Sequence, residues 1–194
     1  MQRIIINTLF ISIIFSSFFV SAQNDYIVNK AGDTIKGQFK KQLMAFGVKF
    51  KAAGKSQFED ISYDDLSAYY KSKDSSSYEL KTIPTRKKPL FLGRLQNGKV
   101  KLYEHFIAGT YGYMGRSTAS QTIWYASKDD GELLEIKTNN ILGTREERKS
   151  NFFNLIGDYK ELWDDFIAEK NFSYEMIESY IKKYNYYHKY LLKK

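Results

Sequence analysis

Residues 96–107 of the chain read QNGKVKLYEHFI, and this stretch carries the clearest structural signal in the sequence. Asn97 and Gly98 both tolerate the positive φ angles that a two-residue hairpin turn requires. After the turn, apolar residues at positions 100, 102 and 106 alternate with charged and polar residues. Such alternation places the apolar side chains on one face of a strand. The stretch therefore predicts a hairpin turn that leads into a strand with one buried face.

The same period of two extends from Asp25 to about Lys137. Residues 34–40 and 46–52 repeat the alternation, and turn-forming residues at 30–33, 53–55 and 128–131 separate the runs. This pattern predicts about eight short strands in an antiparallel meander, sandwich or open barrel, with one helical turn near residues 62–66.

After Asn139 the apolar period changes to 3.6, which is typical of amphipathic helices. Thr144 followed by Glu147, and Asp158 followed by Glu161, read as capping boxes, and a third helix is expected to begin near Ser173. The sequence thus predicts an α+β fold, with a β-rich region at 23–138 and three helices within 139–194. Their apolar stripes favour docking on the sheet as one domain; a separate helical lobe is the alternative.

The first 22 residues read as a secretory signal peptide. One positive charge precedes a run of mostly apolar residues at 4–20, and Val20-Ser21-Ala22 fits a cleavage site before Gln23. A retained transmembrane anchor is the alternative, although the run is shorter than a typical span and is interrupted by polar residues. We expect an exported protein, periplasmic or extracellular, and not a lipoprotein, because the chain has no cysteine.

The composition indicates a globular protein and excludes several classes of site. Of 194 residues, 43% are hydrophobic and 16% aromatic, which is too apolar for a disordered chain. The lack of cysteine excludes disulfide frameworks, zinc ribbons, iron–sulfur sites and thiol nucleophiles. A net charge of +8, or +7 without residues 1–22, favours anionic partners.

No motif in the sequence predicts a catalytic residue, a cofactor or a metal site. The two histidines, His105 and His188, stand alone, without a second histidine or a carboxylate at metal-binding spacing. A non-catalytic binding or interaction module of the bacterial cell envelope is therefore the favoured function. The alternative is an envelope-glycan hydrolase in which a carboxylate pair such as Glu104 and Asp129 is brought together by the sheet.

Two segments are candidate contact surfaces. The first is the loop at 108–120, where Tyr111, Tyr113 and Arg116 lie between two predicted strands. The second is the end of the last helix, which carries five lysines and no acid among tyrosines: Lys182, Lys183, Lys189, Lys193 and Lys194. These lysines would suit an anionic lipid headgroup or glycan, whereas nucleic acid is a poor candidate for an exported protein. The alternative is that they only stabilise the negative end of the helix dipole.

Three short motifs, GDTIKG at 32–37, GKVKLYE at 98–104 and IKKYN at 181–185, resemble a group of uncharacterised exported proteins of Bacteroidetes. Gln23 after Ser-Ala is similar to the signal sites of that group. The resemblance implies an exported location and no particular activity. Asp33-Thr34-Ile35 also resembles the O-glycosylation sites of exported proteins in that phylum, so Thr34 is a candidate modification site; a turn followed by a strand explains the same residues.

Overall fold

A computed structural model describes residues 24–44, 47–110, 118–139, 144–169 and 171–191, with the main chain only for residues 41–44. The predicted signal peptide lies outside these residues. Within them, no helix is both long enough and apolar enough to cross a membrane.

Ten strands in the described residues form a single antiparallel sheet. The strands are β1 Asp25–Asn29, β2 Thr34–Met44, β3 Gly47–Ala52, β4 Glu59–Ser62, β5 Leu66–Lys71, β6 Ser76–Lys81, β7 Leu90–Gln96, β8 Val100–Ile107, β9 Gln121–Lys128 and β10 Leu134–Thr138. Their order across the sheet is β10-β9-β8-β7-β6-β5-β1-β2-β3-β4. Most neighbours are consecutive in sequence, as a meander requires, and β1 alone inserts between β5 and β2. The alternation predicted about eight strands, fewer than the ten in the structure, because a short strand such as β4 carries little alternation.

Three helices follow the sheet: α1 Arg145–Ile156, α2 Lys160–Ala168 and α3 Tyr174–Tyr190. Thr144 Oγ1 accepts a hydrogen bond from the Glu147 amide (3.1 Å), and Ser173 Oγ accepts one from the Met176 amide (3.2 Å). These two caps confirm the predicted starts of the first and third helices. The predicted helical turn near residues 62–66 is a 3₁₀ helix over Tyr63–Asp65.

The capping box predicted at Asp158 and Glu161 is wrong. The N-cap of α2 is Tyr159, which makes no side-chain capping bond. The Asp158 carboxylate instead accepts a hydrogen bond from the Tyr184 hydroxyl at 2.9 Å and forms an ion pair with Lys128 at 2.7 Å. These tertiary partners have replaced the backbone amide at the start of the helix. An ion pair and a hydrogen bond from a buried hydroxyl stabilise the carboxylate more than a hydrogen bond from an exposed amide would.

The helices cover one face of the sheet at its β8–β10 end, and the α+β fold class is confirmed. One buried cluster combines Val100, Leu102, Trp124, Ala126 and Ile136 of the sheet with apolar side chains of all three helices. Aromatic rings dominate the helical side, and Phe152, Phe166 and Phe172 contact one another at centroid distances of 4.7 to 6.5 Å. The helices and the sheet therefore share a hydrophobic core.

Two further clusters bury other apolar residues of the sheet. At the β1–β5 end the cluster contains Ile27, Val48, Phe50, Leu66 and Tyr69. On the face opposite the helices, Leu92, Tyr103 and Tyr125 pack with Ile83 and Leu133 from the segments that follow β6 and precede β10. The central strands are thus covered on both faces, and α3 lies against β7 and β8.

Candidate binding site

A cavity of about 580 Å³ lies where the second half of α3 meets the turn between β7 and β8. Residues of α3, of the β7–β8 turn and of the turn that follows β9 line it. Its lining residues are Asn97, Gly98, Lys99, Asp129, Asn185, Tyr186, His188, Lys189 and Tyr190. Polar groups and exposed aromatic rings therefore meet in a concave site, which is the usual character of a ligand-binding pocket.

Asn185 fixes α3 to the β7–β8 turn. Its Oδ1 accepts a hydrogen bond from the Val100 amide and its Nδ2 donates one to the Val100 carbonyl, both at 2.8 Å. The Asn185 amide group also occupies the space beside Gly98, where an added Cβ would lie 2.4 Å from Asn185 Cγ. Position 98 thus requires glycine for close approach of the helix. The predicted two-residue turn with positive φ angles is wrong, because residues 97–99 connect the strands and neither Asn97 nor Gly98 has a positive φ.

A buried network beneath the cavity holds the same part of α3. Tyr184 is fully buried, and its hydroxyl donates to both carboxylate oxygens of Asp158 at 2.9 and 3.0 Å. Lys128 forms an ion pair with Asp158 and lies 5.2 Å from the Tyr184 ring centroid. Burial opposes ionisation of Asp158, but the hydrogen bonds from Lys128 and Tyr184 outweigh it, so the pKa of Asp158 lies below its ordinary value.

His188 lies at the boundary between this network and the cavity. Its ring is 4.3 Å from that of Tyr184, and its Nε2 is buried with no hydrogen-bond partner among the described residues. Burial lowers the pKa of His188; Asp158 and Asp129 oppose this shift, while Lys99 and Lys128 add to it, so the imidazole is neutral near pH 7. A neutral imidazole nitrogen can donate or accept, and leaving it unpaired in a buried position is costly.

Two tyrosines form the outer rim of the cavity. Tyr186 and Tyr190 are 55% and 58% exposed, and their ring centroids are 5.0 Å apart. Lys189 lies 4.8 Å from the Tyr190 ring, and Lys99, another lining residue, forms an ion pair with Asp129 at 2.8 Å. The rim therefore presents adjacent aromatic faces and a cation to the solvent.

The structure separates the predicted C-terminal lysines. Lys182 is in an ion pair with Glu178 at 2.8 Å, and Lys183 lies 4.6 Å from the Tyr180 ring. Of the three lysines that lie in the described residues, Lys189 alone lines the cavity. Lys193 and Lys194 lie outside the described residues.

The other predicted contact loop is only partly covered. Tyr111, Tyr113 and Arg116 lie outside the described residues. At the base of the loop, Thr118 donates its amide to the Thr110 carbonyl at 2.9 Å, and the two threonine hydroxyls are 3.0 Å apart. The base of the loop is thus closed.

Thr34 is the exposed first residue of β2. The preceding Asp33 is bonded to Asn29 through both its amide and its carboxylate, at 2.8 and 2.9 Å. The turn accounts for Asp33, and glycosylation of Thr34 stays a prediction.

Glu104 and Asp129 do not form a pair. Glu104 Oε2 accepts from Trp124 Nε1 at 3.1 Å in the middle of β8, whereas Asp129 is paired with Lys99 beyond the start of that strand. Their positions are separated by five residues of strand, about 17 Å. Glycoside hydrolases require carboxyl groups within about 10 Å of each other.

Three other carboxylates, of Glu132, Glu135 and Glu147, line a separate cavity of about 380 Å³. Glu135 is already bonded there by Arg148 Nε at 2.9 Å. Within the described part of the chain, no three histidine or carboxylate side chains converge to hold a metal ion. This second cavity is acidic and does not suit an anionic partner.

The sequence alone missed much of the candidate site. Tyr186 and Tyr190 are spaced by four residues and share a helix face outside the apolar stripe. This spacing could have indicated an exposed aromatic pair from the sequence alone. The participation of residues 97–99 depends on a contact across some 85 residues of sequence, between Asn185 and Val100. No local pattern contains that information.

Comparison with protein-family models, with curated proteins and with solved structures found no match.

Proposed function

We propose that the protein is a non-catalytic binding module of the bacterial cell envelope, and that the cavity at the end of α3 binds an anionic glycan. The observation that carries the proposal is that the exposed rings of Tyr186 and Tyr190 meet Lys189 and His188 in one concave site. Export, on which the envelope location depends, is supported by the signal-like residues 1–22.

A glycan suits this cavity better than a lipid headgroup does. The flat tyrosine rings can stack against the apolar faces of sugar rings, while the side chains of Asn97, His188 and Lys189 can bond hydroxyl and carboxylate groups. A lipid surface would instead engage a broad array of lysines, and the structure ties Lys182 to Glu178. Lys189 and the net positive charge of the chain favour an acidic sugar.

The test is isothermal titration calorimetry with three probes: oligogalacturonate as the anionic glycan, dextran oligosaccharides as the neutral one, and phosphatidylglycerol vesicles. We expect binding of oligogalacturonate and none of dextran. Y186A and Y190A should each weaken that binding about fivefold or more, which corresponds to roughly 1 kcal/mol or more for a residue central to an interface.

Phe58→Ala serves as the matched control, because Phe58 is an exposed aromatic residue (40%) that does not line the cavity. It should bind like the unaltered protein. Equal affinity of Y186A, Y190A and the unaltered protein for oligogalacturonate would contradict the proposed site. Binding to the vesicles alone would show that the ligand is a lipid and not a glycan.

A further inference from the structure

A bulge in β10 directs Lys137 towards the helices. The register pairs Leu134 with Ala126 and Glu135 with Tyr125, and then shifts so that Lys137 pairs with Trp124. Strict alternation from Leu134 would have placed Lys137 on the other face of the sheet. Its Nζ instead lies 5.0 Å from the Phe172 ring and 5.5 Å from the Tyr174 ring, and donates to the Phe172 carbonyl.

Two arginines of α1 lie beside this lysine. The Arg145 guanidinium is 5.9 Å from the same Phe172 ring, and Arg148 follows one turn later on the same side of the helix. A cavity of about 350 Å³ separates the three cations. Its lining residues are Lys137, Thr138, Arg145, Arg148, Asn171 and Phe172, with no carboxylate among them. We call it the basic pocket.

The protein neutralises the basic pocket only in part. All 22 acidic residues of the chain lie in its described ranges, yet none forms an ion pair with Lys137 or Arg145 there. Glu135 is bonded to Arg148, and Glu175 acts on Lys137 from a greater distance. Burial, and then repulsion by Arg145 and Arg148, lowers the pKa of Lys137, which shows how closely the cations are grouped.

We propose that the basic pocket binds a tetrahedral oxyanion, the phosphate or sulfate group of a small ligand. The Lys137 ammonium and the planar Arg145 guanidinium supply charge-assisted hydrogen bonds of the kind that select such groups. Arg148 adds charge, and Phe172 forms an apolar wall. The volume exceeds that of a single ion, so the pocket also accommodates part of the group that carries the anion.

The basic pocket is separate from the tyrosine-lined cavity. Asn171 and Phe172 precede the start of α3, whereas Asn185, His188 and Tyr190 lie near its end. At 1.5 Å per residue, the 14 residues from 174 to 188 span about 21 Å. The oxyanion site therefore does not depend on the proposed glycan site.

The test is calorimetric titration of the purified protein at low ionic strength with inorganic phosphate, sulfate and glucose 6-phosphate. Arg145 is exposed, so R145Q should fold normally. We expect R145Q to weaken phosphate binding about tenfold, as loss of one charge-assisted contact implies. Lys149→Gln removes the same charge from the same helix outside the pocket, and should change the affinity less than twofold.

The probes also distinguish the source of the anion. Tighter binding of glucose 6-phosphate than of inorganic phosphate would identify a phosphorylated metabolite, and equal binding would identify the free ion. Y190A should retain full phosphate affinity, which separates this site from the tyrosine-lined cavity. Equal phosphate affinity of R145Q and the unaltered protein, or no measurable binding of any probe, would overturn the proposal.

Discussion

At the scale of single residues, Asn185 and Gly98 act as one unit. Asn185 replaces the missing hydrogen-bond partners of Val100 at the edge of a turn, and its amide group fills the space that a side chain at position 98 would need. The sequence predicted glycine at 98 for the turn alone, because the contact with Asn185 is not visible in local sequence.

The first prediction is a non-additive pair of substitutions. G98A forces a Cβ against Asn185 and should lower the free energy of unfolding by about 2 kcal/mol, the scale of an overpacked contact. N185A removes two hydrogen bonds and should cost about 1–3 kcal/mol. In the double variant the clash is gone, so urea denaturation should show a total cost smaller than the sum. Additive costs would mean that the two residues do not touch.

Glu79 gives a residue-level prediction for pH. Burial opposes ionisation of Glu79, but the hydrogen bond from Tyr103 (2.8 Å) and the charges of Lys81 and Arg94 outweigh it, so its pKa is lower than the ordinary 4.5. A carboxylate whose pKa is lower in the folded state stabilises the protein above the ordinary value, and this contribution is lost as the pH falls through the folded-state pKa.

E79Q should therefore be less stable than the unaltered protein at pH 7, and the difference should shrink as the pH is lowered from about 5 to about 3. Thermal denaturation at several pH values measures this difference. A gap that stays constant over that range would show that ionisation of Glu79 does not contribute to stability.

At the scale of elements, the three helix starts show where local sequence suffices. Thr144 and Ser173 cap their helices as predicted, each accepting a hydrogen bond from the amide three residues later. Asp158 has the same local signal, but its carboxylate bonds to Lys128 and Tyr184 instead of capping the helix. The bulge before Lys137 could not be predicted from local sequence either, because the alternation of apolar and polar residues continues through it without interruption.

A cap substitution tests this distinction. T144A should lower the free energy of unfolding by about 1 kcal/mol, because it leaves the Glu147 amide without its partner. D158N should cost more than a cap alone, since it removes the charge that pairs with Lys128. Guanidinium denaturation of both variants measures the order. A larger loss for T144A than for D158N would contradict the roles assigned to these two residues.

At the scale of the whole molecule, the periods of two and 3.6 were enough to predict a sheet followed by three helices. They could not show that β1 inserts between β5 and β2, because strand order depends on pairing between distant residues. For the same reason the lysine-rich helix end was recognised as a candidate surface, while the turn at 97–99 that completes its cavity was not.

The shared core predicts one cooperative unit. Residues 24–138 expressed alone would expose Val100, Leu102, Trp124 and Ile136, which the helices bury. An apolar patch of this kind is uncommon on a stable monomer, so the fragment should show no sharp thermal transition by circular dichroism. A cooperative transition in the fragment would indicate that the sheet folds independently of the helices.

The most direct test of the central claim, that the cavity at the end of α3 is a binding site, is NMR of the imidazole groups during titration with oligogalacturonate. The chain has two histidines, so His188 reports on the site and His105, whose buried Nδ1 also has no partner in the described residues, serves as the internal control. We predict that the ¹⁵N resonances of His188 shift in a saturable way as the glycan binds beside its ring, while those of His105 stay in place. A titration that leaves His188 unchanged, or that moves both histidines equally, would contradict the account.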